Sequence, residues 1–140
     1  MNWAYPLRIE EREGIPWVWD SIRKKWVQLT PEEHVRQQTI QYMVQERGVA
    51  AGLIGVEKGI QYNKMSKRFD IVVFDRQAQP LIICECKAPE VPLNQATLEQ
   101  VARYNASLRA PHILVTNGLK WLFFSLEETG KYVFQPSGWM

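Results

Sequence analysis

The alternation and spacing of apolar residues divide the chain into short elements. In IPWVWDSIRKKWVQL (15–29), aromatic-rich runs flank a polar DSIRKK. This predicts two strands and a turn, with Trp17, Trp19 and Trp26 as packing residues. TPEEHVRQQTIQYMVQERG (30–48) predicts a helix. Thr30 can cap it, Pro31 suits the first turn, Glu33 completes a capping box and Gly48 suits the stop. Val35, Thr39, Met43 and Val44 mark its apolar side. AAGLIGVEKGI (50–60) predicts a strand with a charged end, and 61–67 a polar loop. Two apolar runs, Ile71–Phe74 and Leu81–Cys84, predict buried strands joined at RQAQP, with Pro89 and Pro92 breaking the chain beyond. NQATLEQVARYNASL (94–108) predicts a helix capped by Asn94, with Leu98, Val101, Ala102 and Leu108 inward. HILVTNG (112–118) predicts a strand and turn, and KWLFFSL, EETG and KYVF a closing hairpin. The order ββ–α–β–β–β–α–β–ββ is that of an α/β fold, a mixed central sheet flanked by helices.

With 140 residues, a single domain over 1–140 is expected, comprising an N-terminal strand extension (1–29), a core (30–125) and a C-terminal strand and tail (126–140). An apolar share of 46% can fill a core, and a charged share of 23% argues against disorder. A net charge of +2 does not decide for nucleic acid, because local placement of charge matters more than its sum. No apolar run approaches the ~20 residues of a membrane span. The start MNWAYPLRIEEREG lacks a basic segment followed by an apolar one, so no signal peptide is expected. Cys84 and Cys86 are two apart in a strand, pointing the same way but too distant to bridge. Reduced, buried thiols in a cytoplasmic protein are the expectation. A C-x-C metal half-site is disfavoured, since the chain has no second Cys pair.

The two central strands carry the chemistry. Asp70 opens the first, and Glu85 and Lys87 close the second. With the turn centred between Gln77 and Ala78, Asp70 falls opposite Glu85, with Lys87 one step further along the Glu85 face. Opposed Cβ atoms lie about 5 Å apart, where like charges destabilise the pair and raise the proton affinity of one acid. A divalent cation removes that conflict. Mg2+, with Mn2+ as substitute, prefers oxygen ligands, uses one or two carboxylates and keeps several waters. A lysine beside it can hold or deprotonate an attacking water, or stabilise charge on a phosphate. The arrangement suits metal-assisted phosphodiester hydrolysis. E-x-K alone is common, and an ordinary Glu85–Lys87 surface pair at a strand end is the competing reading.

Five segments in order make the pattern more specific: LTPEEHVRQ (29–37), KRFDIVVFD (67–75), IICECKAP (82–89), QVARYN (100–105) and LVTNG (114–118). In these the chain resembles the PD-(D/E)xK nuclease superfamily, and is most similar to the N-terminal nuclease domain of type I restriction enzyme R subunits and its short stand-alone relatives. The resemblance implies a restriction-endonuclease-like fold, with a four-stranded mixed core sheet and a helix on each side, and Mg2+-dependent DNA cleavage. It implies Asp70 and Glu85 as metal ligands and Lys87 as the catalytic lysine. Glu33 matches an acidic position on the first helix, and Glu57 an acid on the strand before the central hairpin, a third metal ligand. Gln100 and Tyr104 match a Q-x-x-x-Y motif, sharing one helix side, where they could reach a DNA strand or position Lys87. Each of these four has a structural alternative, as cap, strand-end charge or packed helix edge. Phe69 stands where the family has proline. The chain has no G-x-x-x-x-G-K-[ST] loop, so ATP-driven translocation is not expected of it.

Lys58, Lys64, Lys67 and Arg68 flank the site, and Arg103 lies on the second helix. These cations could neutralise DNA phosphates or form a solvated rim. No groove-reading element is evident. The leading expectation is a metal-dependent DNA endonuclease, or the nuclease module of a restriction, defence or repair system, acting as a homodimer or in a larger complex, with no membrane partner. The alternatives are a catalytically silent nuclease-like fold that binds DNA or protein, and a metal-free structural domain.

Overall fold

The computed structural model describes residues 5–62, 65–105 and 109–139, without the side chains at 58–62, 65–67 and 104. Three strands come first: β1 (Ile9–Arg12), β2 (Ile15–Asp20) and β3 (Lys25–Gln28), an antiparallel sheet in that order. β1 lies in a segment the hydrophobic pattern passes over. All four of its residues are exposed, so no buried face imposes alternation on IEER. Pairing is set instead by the turn. Glu13 and Gly14 both have positive φ (52° and 78°), as a tight two-residue hairpin requires.

Helix α1 (Pro31–Gln45) starts where expected, with the Glu33 N–H bonded to Thr30 Oγ1 at 3.1 Å. The capping box is only half formed. Glu33 turns its carboxylate to Arg23, Arg36 and Gln37, while the Thr30 N–H goes to the Gln28 carbonyl. At the other end Gly48, with φ of 67°, turns the chain so that the Val49 N–H reaches the Met43 carbonyl.

After a 3-10 turn at Ala51–Leu53 come β4 (Ile54–Tyr62), β5 (Met65–Phe74), β6 (Pro80–Cys86), α2 (Gln95–Asn105), β7 (His112–Thr116), β8 (Trp121–Leu126) and β9 (Tyr132–Phe134). The strands form one six-stranded sheet in chain order, in which only β6 and β7 run parallel. The four strands the resemblance implies are thus extended to six. The α2 crossover joins the parallel pair, as such a pair requires. Asn94 caps α2 through the Thr97 N–H at 3.1 Å, and Leu108 lies outside the described residues.

Of the polar loop expected over 61–67, residues 61–62 and 65–67 are instead strand. β4 continues to Tyr62 and β5 begins at Met65, with Tyr62 opposite Met65. Lys64 lies outside the described residues. β5 pairs with β6 only from Ile71 onward, so 58–62 and 65–69 pair as a two-stranded ribbon running past the third strand. Backbone pairing needs no apolar alternation, and the polarity of this stretch made it read as a loop.

The two faces of the large sheet bury different sets of side chains. Ile71, Val73, Ile82, Cys84, Cys86, Leu114 and Phe123 pack with Val35, Ile40 and Met43 of α1. On the opposite face, Ile113, Val115 and Phe124 pack with Val101 of α2, and Val72 and Ile83 with Phe69. Both cysteines are free and buried on the α1 side. The small sheet covers the other flank of α1. Val18 and Asp20 are fully buried, and Gln38 exchanges two 2.9 Å hydrogen bonds with the Tyr5 backbone. The polar residues that α1 buries find partners on several sides: Glu33 and Gln37 at Arg23 and Asp20, Gln38 at Tyr5, and Arg36 at Glu57 and Asp70 of the large sheet. Behind β9 the chain returns, and Trp139 stacks on Phe123 with ring centroids 6.0 Å apart.

Candidate active site

The hairpin register is the one the turn implied. Ile71, Val72 and Val73 lie opposite Cys84, Ile83 and Ile82, and an irregularity follows between Val73 and Phe74. Asp75 builds the turn, its Oδ1 accepting from the Gln77 and Gln79 N–H groups at 2.8 and 3.0 Å. One step beyond Ile71 and Cys84 come Asp70 and Glu85. Here the ladder gives way, and Asp70 Oδ2 accepts the Cys86 N–H at 2.8 Å. Alternation also breaks at Asp70, since Phe69 packs with Val72 and Ile83 whereas Ile71 faces α1. The break lets Asp70 reach both a side chain of α1 and Glu85.

Glu85 and Asp70 lie close enough for their carboxyl groups to share a hydrogen bond. Burial pushes the Glu85 carboxyl up to about 8, and the adjacent Asp70 charge adds to the rise. Lys87 opposes it. Lys87 follows directly after β6, held there by its N–H on the Thr116 carbonyl at 2.8 Å, and is half-buried. The Lys87 charge also acts on Glu32, whose carboxyl is raised by burial and by Asp70. Asp70, Glu85 and Lys87 therefore form one electrostatic group where the end of β6 lies against the middle of β5. Among the described residues no three His, Cys, Asp or Glu side chains converge on one point, so this is a carboxylate pair rather than a closed metal cage.

Glu57 lies elsewhere in its contacts. It occupies the row between the Val56–Ile71 and Lys58–Phe69 pairs, level with Asp70, but its φ is 49°. Its carboxylate goes to Arg36 at 2.9 Å and Arg23 at 3.3 Å. The Arg36 guanidinium, with Arg23, holds its carboxyl below the usual range. Glu33 pairs with the same two arginines, at 3.2 Å to Arg23 and 3.6 Å to Arg36. Arg36 also approaches Asp70 at 3.5 Å. Arg23 is anchored by Asp20, whose carboxylate accepts the N–H groups of Ile22 and Arg23, the Arg23 Nε at 2.7 Å and the Gln37 amide at 3.0 Å. Burial alone would raise the Asp20 carboxyl, but these hydrogen bonds lower it.

Asp20, Arg23, Arg36 and Gln37 were not among the residues the sequence pointed to. A signal was present for two of them: Glu33, Arg36, Gln37 and Ile40 follow helical spacing along the inner side of α1. Nothing local marked Asp20 or Arg23, which sat in a polar turn. Of the remaining expected residues, Gln100 and Arg103 are on the exposed side of α2, and Arg68 is exposed at the base of the ribbon. The side chains of Lys67 and Tyr104, like the whole of Lys64, lie outside what is described.

The fold and this carboxylate–lysine group can be set against known proteins. A family model, the type I restriction enzyme R protein N terminus (HSDR_N), matches residues 31–137. The chain belongs to this family. The match takes in α1, the six-stranded sheet, α2 and every expected site residue of the HSDR_N chain. It begins after the small sheet, so Asp20 and Arg23 lie outside it. No curated protein matches the chain. Among the described residues no helix is long and apolar enough to cross a membrane.

Proposed function

We propose that this chain is the DNA-cleaving module of a restriction-type system, hydrolysing phosphodiester bonds with Mg2+ held by Asp70 and Glu85. The observation that carries the reading is the placing of half-buried Glu85 beside Asp70, which accepts the N–H of the next residue, Cys86, at 2.8 Å; burial and the Asp70 charge push the Glu85 carboxyl up to about 8. Such a pair is costly unless a cation joins it. A hard ion that takes one or two carboxylates and keeps its other ligands as water fits a pair of this kind, and no third acid is required. Mg2+ would supply a polarised phosphoryl oxygen and a more acidic water. Lys87, beside Glu85, would stabilise charge on the scissile phosphate or hold the attacking water. Gln100 and Tyr104 would steady the DNA strand or Lys87. Lys64, Lys67, Arg68 and Arg103 would neutralise flanking phosphates. Glu33 and Glu57 act through Arg36, the arginine beside Asp70. The chain would act as a homodimer or within a complex whose further subunits supply any translocation.

The test is incubation of supercoiled plasmid, linear duplex and single-stranded DNA with Mg2+, Mn2+ or chelator. Nicking that needs the metal and is lost in Asp70→Asn supports the proposal. DNA binding without cleavage in any metal supports a second reading, a silent nuclease-like DNA-binding module. That reading draws on the cation already beside Asp70, the Arg36 guanidinium at 3.5 Å.

A further inference from the structure

Arg36 has four carboxylates around one guanidinium: Glu57 at 2.9 Å, Asp70 at 3.5 Å, Glu33 at 3.6 Å and Glu32 at 3.8 Å. It is 5% exposed. Arginine ordinarily meets carboxylates through a planar fork of paired hydrogen bonds. Here no single acid takes the fork: Nη1 meets Glu57 at 2.9 Å, while Nε, 3.6 Å from Glu33, is buried without a hydrogen-bond partner. The group is held by charge from several directions, much as a metal ion would be.

The position of Asp70 gives this a meaning. One of its oxygens faces Arg36, and the other takes the Cys86 N–H on the side of Glu85. In two-metal hydrolytic sites two ions lie about 3.5–4 Å apart and stabilise both sides of an in-line displacement. Asp70 stands between a cation that belongs to the chain and the acid pair that needs one. Arg23, fixed by buried Asp20, grips Glu57 and Glu33 from the far side and holds them on Arg36. We infer that Arg36 takes the place of a second metal ion and restricts the site to a single divalent cation beside Glu85. The inference rests on the proposed use of Asp70 and Glu85 as ligands. Arg36 is thus a positioning residue. It carries a charge that cannot be lost by deprotonation, and it keeps Glu57 and Glu33 out of the ligand set.

Ion counting tests this without any need for activity. Mn2+ binding is followed by calorimetry and by the loss of free-Mn2+ paramagnetic signal, with circular dichroism to follow the fold. The wild type and Arg36→Lys should bind one ion. Arg36→Gln should bind two, because Asp70 loses its arginine and Glu57 and Glu33 keep only Arg23. Adding Glu57→Gln to that variant should bring the count back to one. If Arg36→Gln needs metal to fold, Mn2+ must restore the fold. A variant still unfolded at saturating Mn2+, or one that binds a single ion as tightly as the wild type, overturns the inference. Two ions on the wild type overturn it while leaving the metal reading of Asp70 and Glu85 intact. No ion on the wild type overturns both.

Discussion

At the scale of single residues, Glu85 sets the pH behaviour of the metal-free protein. Its folded carboxyl titrates at about 8 against an ordinary value near 4.5. Between those values the folded state holds a proton that the unfolded state has released, so stability falls as pH rises. The melting temperature in chelator should therefore be highest near pH 5 and decline toward pH 8, and Glu85→Gln should flatten most of that slope. An equally steep decline in the variant would assign the titration to another group, Glu32 being the next candidate since burial and Asp70 raise it too. Lys87 has a different signature. It follows the strand rather than filling the core, so Lys87→Ala should leave the melting curve close to wild type. DNA affinity measured in Ca2+ should change little, because one phosphate contact among several is lost. Cleavage should drop by ~10²–10⁴-fold, the usual range for a lost acid–base or electrostatic contribution. Wild-type cutting by this variant would remove Lys87 from the chemistry.

Among the elements, the β4–β5 ribbon departs furthest from the sequence reading. The chain supplies Lys58, Lys64, Lys67 and Arg68 between Glu57 and Asp70, with no acid among them. The register puts Lys67 opposite Ile60 and Arg68 opposite Gly59, within three residues of Asp70 along β5. A two-stranded ribbon has dimensions that a DNA major groove admits. Lys67→Ala and Arg68→Ala should each weaken duplex binding by a similar factor on unrelated sequences, and each should lower the slope of log affinity against log salt by about 1. Affinity titrations at several salt concentrations decide this. Unchanged slopes would mean the ribbon does not touch phosphate. Helix α1 shows the opposite outcome, its ends and apolar stripe matching expectation while its polar residues were misjudged. Val35, Met43 and the Thr30 cap follow from local pattern. Arg36 is buried among acids of α1 and the large sheet, and Gln37 against Asp20 of the small one, contacts that local pattern does not encode.

For the whole molecule, the acids matter because folding brings them together. Asp70 and Glu85 are fifteen positions apart along the chain, so a cation that joins them binds the folded form preferentially and raises its melting temperature. Mn2+ or Mg2+ should therefore stabilise the wild type, with a shift that grows from pH 5 to pH 8 as metal displaces the Glu85 proton more easily. Asp70→Asn should lose most of the shift, and an undiminished shift would place the ion elsewhere.

What the sequence determined by itself was whatever depends on short-range pattern. Two apolar runs and a turn were enough to set Ile71–Val73 against Ile82–Cys84, and hence Asp70 beside Glu85, because side-chain alternation and turn position fix a hairpin register. Helix caps and the family segments were legible for the same reason, whereas which two strands of the mixed sheet run parallel came from the fold. Tertiary structure alone decided the surroundings of that pair. Asp20 and Arg23 come from a separate sheet, and their reach to Glu33, Gln37 and Glu57 is a long-range contact that no periodicity encodes. The ribbon was hidden because pairing uses backbone groups, which every residue carries, while hydrophobic pattern reports only burial. Glu57 illustrates the division: its level with Asp70 could be counted along the strands, but the arginines that take its carboxylate arrive only when the chain folds.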